Sequence, residues 1–128
     1  MLNINLFGGP GTGKSTTAAE IFAQLKKNGT KVELLQEYAK DLTYSNELTR
    51  LKDQVHILGE QHHRMVRLQG SVDYAVHDSP FVMGCNYIDK TNTKFPTQAF
   101  IDFSVKLHST YENLNVFLKR NVETHPYQ

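Results

Sequence analysis

The residues with the clearest chemical content lie near the start of the chain, in GGPGTGKST, Gly8 to Thr16. Their spacing, G-x-x-x-x-G-K-[ST], is that of a loop built to hold phosphates. Glycines let the backbone turn tightly and approach an anion with no Cβ in the way. Successive N–H groups, together with the positive end of the helix that follows, then form a cradle for phosphate oxygens. Gly8, Gly9, Pro10, Gly11, Thr12, Gly13, Lys14, Ser15 and Thr16 are therefore the expected phosphate-binding residues. Lys14 can reach the outer phosphates of ATP, and the Ser15 hydroxyl can join a Mg²⁺ shell. The alternative is a chance glycine-rich turn. It is disfavoured because the loop follows an expected strand and opens an expected helix.

Two acids extend the chemistry. LLQEYAKDL places Glu37 just past a second apolar strand, and AVHDSP places Asp78 just past a third. An acid at such a strand end is suited to be the second Mg²⁺ partner, direct or through water. A second acid farther out can accept a proton from an attacking hydroxyl. Which of the two is the base stays open. The competing readings are a solvated loop acid for Glu37 and, for Asp78, a turn or helix start before Ser79–Pro80.

These side chains need elements to place them. LNINLF, Leu2 to Phe7, reads as a strand in which Leu2, Ile4 and Leu6 alternate with Asn3 and Asn5. Lys14 to Gly29 reads as a helix, with Lys26 and Lys27 at its negative end and Gly29 as a left-handed cap. Lys31 to Gln36 is a second strand. After the polar bridge EYAKDLTYS, a long helix is expected from about Asn46 to Gln69. Ser45 would cap it, and Leu48, Leu51, Val55, Leu58 and Met65 would form its apolar stripe. SVDYAVHD is a third strand, with Val72, Tyr74 and Val76 alternating with Asp73, Ala75 and His77. SPFVMGCNYIDKTNTKFP reads mostly as loop with a short helical turn. Thr97 would cap a further helix with Phe100, Phe103, Leu107 and Tyr111 on one face, and Leu114 to Leu118 is a fourth strand. Strands alternating with helices imply βαβ units and a parallel sheet. Ligands of such sheets bind beyond the carboxyl ends of the strands. Gly8 to Ser15, Glu37, Asp78 and Arg120 each follow a strand.

The bulk numbers are consistent with one domain spanning residues 1–128. With 14 basic and 13 acidic residues the net charge is +1, without the basic excess usual in proteins that live on nucleic acid. A nucleic-acid partner is therefore not favoured. The single Cys85 excludes an internal disulfide and fits a reducing compartment. No run of about 18 apolar residues suggests a membrane span. No leader pattern precedes the glycine loop, and cytoplasm is the expected location. Oligomeric state is not legible.

GGPGTGKST resembles the opening of the P-loop nucleotide and nucleoside kinases. LLQEYAKDL is similar to the acid motif after strand two in deoxynucleoside kinases and in nicotinamide-riboside-kinase-like proteins, and VHDSP to the Asp-Ser motif after strand three. Phage and bacterial proteins described as AAA-type ATPases carry the same set. The resemblance implies an α/β three-layer sandwich with a parallel sheet in the order 2-3-1-4 and Mg-ATP as phosphate donor. It also implies Glu37 or Asp78 as base or metal partner. In such kinases a helix after the strand-two acid lines the acceptor site, which makes Gln61 and Arg64 substrate-binding candidates. Their alternative is an exposed helix face. His62 and His63 read as solvated or acceptor-lining residues. FLKRNVE resembles the start of a lid, with Arg120 as the clamp on the moving phosphate or, alternatively, a surface charge. Such kinases continue through a lid, a fifth strand and a last helix, and the chain is expected to lack the final strand and helix.

Three functions are compatible with these residues. The first is a phosphotransferase acting on a nucleoside, nucleotide or similar small molecule. The second is an energy-coupling AAA-like ATPase, which would call for a second acid beside Asp78, where Ser79 stands. The third is a kinase acting on DNA or RNA ends or modified bases.

Overall fold

The computed structural model describes residues 1–9, 11–37, 53–88, 91 and 93–119. In chain order these form β1 (Leu2–Phe7), α1 (Lys14–Lys27), β2 (Val32–Leu35), α2 (Gln54–Val66) and β3 (Tyr74–His77). A 3₁₀ helix (Phe81–Tyr87), α3 (Thr97–Ser109) and β4 (Asn113–Phe117) follow. Every strand pairing is parallel, and the order is β2-β3-β1-β4, as the motif resemblance implied. This order sets β1, which ends in the glycine loop, directly beside β3, which ends at Asp78, with Asn5 opposite His77 in register.

The sheet separates two apolar clusters. On one face Ile4, Leu6, Val32 and Val76 pack with Ala18 of α1, joined by Phe22, Leu25 and Val116. On the other, Leu58 and Met65 of α2, Phe81, Ile88 and Phe100 of α3 close over Leu35. The helices therefore lie on both sides, giving the three-layer α/β sandwich.

The glycine stop of α1 works as expected. Gly29 has φ +78°, its N–H bonds Lys26 O, and Thr30 N bonds Leu25 O, so the last carbonyls are satisfied. Elsewhere the boundaries differ. Among the described residues α2 begins at Gln54, where the Asp53 carboxylate accepts from His56 N at 3.1 Å. The expected cap Ser45, with Leu48 and Leu51, lies outside the described residues. Val55 is not part of a buried stripe but 57% exposed. Thr97 does not cap α3. Pro96 occupies the cap position, and Thr97 is the first helical residue, its hydroxyl turned back to Phe95 O. Phe103 is 59% exposed, so the buried face of α3 runs through Phe100 and Ser104 instead.

The larger departure lies in the strands. Ala75 and His77 are as buried as Val76, because helices cover both faces of β3. Asn3 and Asn5, the polar half of the β1 alternation, are also buried. Hydrogen bonds between strands offset part of the cost, although Asn3 Nδ2 is buried with no partner among the described residues. The Asn5 amide donates to Asn113 Oδ1 at 2.9 Å and Asn115 Oδ1 at 3.0 Å, and Asn3 Oδ1 pairs with His77 Nε2 at 2.9 Å. Period-two patterning therefore marks two different interiors here, one apolar under α1 and one on the opposite face where Asn3, Asn5 and His77 lie beside an apolar cluster.

Candidate functional site

The glycine loop joins β1 to α1 over the carboxyl edge of the sheet. Gly11 and Gly13 have φ +76° and +85°, a region that side-chain-bearing residues rarely adopt. At Gly8 the restriction is spatial: a Cβ would come 2.6 Å from Thr12 Oγ1 and 3.0 Å from the Leu118 carbonyl. Thr12 Oγ1 donates to Gly9 O at 2.8 Å and Lys14 Nζ to Gly8 O at 2.7 Å, both bonds closing within the loop. Gly13 is the N-cap of α1 and offers no side chain to the first-turn N–H groups, leaving them for an anion.

The Ser15 hydroxyl, in the first turn of α1, donates to Asp78 Oδ2 at 3.3 Å. Asp78 is 2% exposed, while Glu37 is only half-buried and lines the open cleft in front of the loop. That cleft, about 520 Å³ including its mouth, is walled by Gly9, the Gly11–Thr16 stretch, Glu37 and Ser79. The two acids thus occupy different places: Asp78 behind Ser15, Glu37 on the cleft wall. Pro10 and Arg120 lie outside the described residues.

A second, smaller pocket adjoins the first. Its walls are Leu35, Gln36, Gln61, Arg64, His77, Ser79 and Phe81. Gln61 and Arg64, on α2, therefore line a cavity next to the glycine-loop cleft, and Ser79 is common to both. Arg64 Nε also pairs with Glu60 Oε1 at 3.5 Å, one helical turn back.

Sequence reasoning missed Gln36, His77, Ser79 and Phe81 as pocket walls. Ser79 and His77 flank Asp78 in the quoted motif, so adjacency to the acid was a usable signal. For Phe81 there was none, because its position depends on the 3₁₀ turn. His77 is 5% exposed, and burial, with nearby His108 adding, lowers its pKa to about 4. It is therefore a neutral hydrogen-bonding group near pH 7. Burial also lowers His108, against the opposing effect of its hydrogen bond with Asn115. His63 is exposed, while His62 turns inward to Tyr111. No group of three or more His, Cys, Asp or Glu among the described residues could hold a metal by itself.

The fold is similar to that of solved kinases. One is deoxyadenosine kinase from M. mycoides with bound dATP, at TM-score 0.56 and 23% identity over 95% of this chain and 67% of that one. The same enzyme with products dCMP and a flexible dCDP bound matches at TM-score 0.52 and 20% identity, over 95% of this chain and 66% of that one. The chain spans about two thirds of the length of these structures. No curated protein matches the sequence. No helix among the described residues is long and apolar enough to cross a membrane. A family model described as AAA domain matches residues 3–127, nearly the whole chain. With its glycine loop and 2-3-1-4 sheet, the chain belongs to this AAA-domain family, and its fold is similar to that of the deoxyadenosine kinase.

Proposed function

We propose that the chain is an ATP-dependent phosphotransferase that moves the γ-phosphate to a hydroxyl or phosphate of a nucleoside, nucleotide or related small molecule. The observation that carries this reading is the shared wall at Ser79: a phosphate cleft opens beside a pocket lined by Gln61 and Arg64. The walls of that pocket are mixed, and Gln61 and Arg64 supply the hydrogen-bonding groups that an acceptor would meet there. The relatives with dATP or dCMP bound support a nucleoside-type acceptor.

The donor groups fit Mg-ATP. A Cβ at Gly8 would meet Thr12 and the Leu118 carbonyl, so the loop's tight curvature depends on glycine there. Ser15 and Asp78 present hard oxygens suited to Mg²⁺. When bound, Mg²⁺ supplies positive charge against the phosphate oxygens. The loop amides and Lys14 hold and orient the phosphates, and Asp78 fixes the Ser15 hydroxyl. Glu37, on the open wall, is the better placed of the two acids to accept the acceptor's proton. Gln61 and Arg64 orient the acceptor, and Arg120 clamps the transferring group. The half-buried Cys85 suits a cytoplasmic enzyme.

The matched family's description as AAA domain favours one second reading, an energy-coupling ATPase. ATP consumption measured alone and with a panel of nucleosides, nucleotides and DNA oligomers separates the two. Acceptor-dependent consumption with a phosphorylated product is expected. Hydrolysis indifferent to every acceptor but stimulated by self-assembly would establish the ATPase instead.

A further inference from the structure

His62 lies between Gln61 and Arg64 on α2, yet it does not line the pocket they share. Its Nε2 is 2.7 Å from the Tyr111 hydroxyl, a contact between residues 49 apart in the chain. The imidazole stands edge-on to Phe81, with ring centroids 5.6 Å apart and planes at 89°. It is tilted on Tyr111 at 5.7 Å and 53°. Phe81 is itself a wall of the pocket. Tyr111 lies just past the end of α3 and two residues before β4, which pairs with β1. One side chain therefore joins the helix carrying Gln61 and Arg64 to the α3–β4 corner, bracing the pocket's aromatic wall on the way.

Buried Ile57, Leu58 and Met65 seat α2 against the core, and a polar contact from the same helix adds a directional restraint to that packing. A hydrogen bond to a ring nitrogen is directional. Successive residues of a helix are separated by about 100° around its axis, so fixing the azimuth of His62 fixes those of Gln61 and Arg64. The Asp53–His56 and Glu60–Arg64 contacts lie within or at the start of the helix, whereas His62–Tyr111 reaches a separate element.

We infer that the His62–Tyr111 pair is a positioning device for the phosphate acceptor, setting the rotation of α2 and hence where Gln61 and Arg64 meet the substrate. The inference rests on the phosphotransferase reading. It concerns acceptor binding and leaves the ATP cleft untouched, because none of the residues lining that cleft lies on α2.

The test uses Tyr111→Phe, which removes one oxygen and keeps the ring, and His62→Phe, which keeps an aromatic edge against Phe81. Initial rates are measured with ATP and with adenosine, deoxyadenosine, deoxycytidine, deoxyguanosine and thymidine, and thermal melting confirms that each variant is folded. For the nucleosides phosphorylated, each variant should raise the acceptor KM about fivefold, the scale of one net hydrogen bond, with the ATP KM unchanged. The double variant should be no worse than either single one. His62→Gln, which can still bond the phenol, should recover part of the loss. An unchanged acceptor KM, or a parallel rise in both KM values, overturns the positioning role while the phosphotransferase reading stands. If wild-type protein phosphorylates no acceptor in the wider panel, that reading falls and takes this inference with it.

Discussion

The Ser15 hydroxyl bonds Asp78 Oδ2 at 3.3 Å, joining the first turn of α1 to the end of β3 across 63 residues of chain. This contact converts two separate motifs into one oxygen-rich corner at the phosphate cleft. Asp78→Asn preserves an oxygen acceptor for Ser15 but removes the negative charge. ATP turnover should fall about a hundredfold or more, with melting temperature nearly unchanged. Steady-state rates across a Mg²⁺ titration check this, and a variant with wild-type rates at every Mg²⁺ concentration would show that the carboxylate's charge is not used.

Lys14 makes its hydrogen bonds to Gly8 O at 2.7 Å and Gly9 O at 3.5 Å, both within its own loop. Its removal therefore costs the fold little. On the proposed function, Lys14→Ala should lower turnover by about two orders of magnitude, by removing the positive charge of the glycine loop. Comparing ATP binding by calorimetry with chemical denaturation separates the two effects. Normal turnover by the variant would remove the glycine loop from the mechanism.

Gly8 is constrained by its neighbours. An added methyl would lie 3.0 Å from the Leu118 carbonyl, and Leu118 N is itself bonded to Phe7 O at 2.7 Å, so that backbone cannot easily retreat. Gly8→Ala should destabilise by about 1–3 kcal/mol, the usual range for overpacking, and weaken ATP binding. Gly9→Ala, where a Cβ meets nothing within 4 Å, is the control and should cost much less stability. Equal denaturation midpoints for the two variants would show that the Leu118 contact does not matter.

His77 provides a pH signature. Its pKa is lowered from 6.5 to about 4 in the fold, by burial first and by His108 second. Between these values the unfolded chain binds the extra proton and the folded one does not, so stability rises with pH through this window. On acidification from pH 7 the loss begins near 6.5 and reaches about 2 kcal/mol by pH 5. His62 and His108 are shifted in the same direction and add to the slope. Urea denaturation from pH 7 to 4.5 measures it, and His77→Asn should flatten the curve. An equally steep curve in that variant would assign the slope to other groups.

The parts of the fold legible in the residues were those written locally. The bounds of β1 match residue for residue, and α1 begins and ends where Lys14 and Gly29 indicated. Its glycine stop acts through its own neighbours, independent of distant packing. Thr97 was misread because a β-branched hydroxyl residue suits either a cap or a first turn, and Pro96 before it took the cap. Val55 and Phe103 were misread because helical spacing marks a stripe without saying how wide a neighbour covers it.

The site divides along the same line. The phosphate binding proposed for Gly8 to Thr16 would rest on consecutive backbone amides and one lysine, so a contiguous stretch of residue types is enough to suggest it. Long-range packing decided the remainder. Strand order brought Asp78 behind Ser15, and the fold set Glu37 and Ser79 on one cleft with Gln61 and Arg64 next door. The buried Asn3, Asn5 and His77 show why this could not be read from pattern alone. A polar residue in a strand tells equally of water or of a partner, and only the packed sheet shows which one it meets.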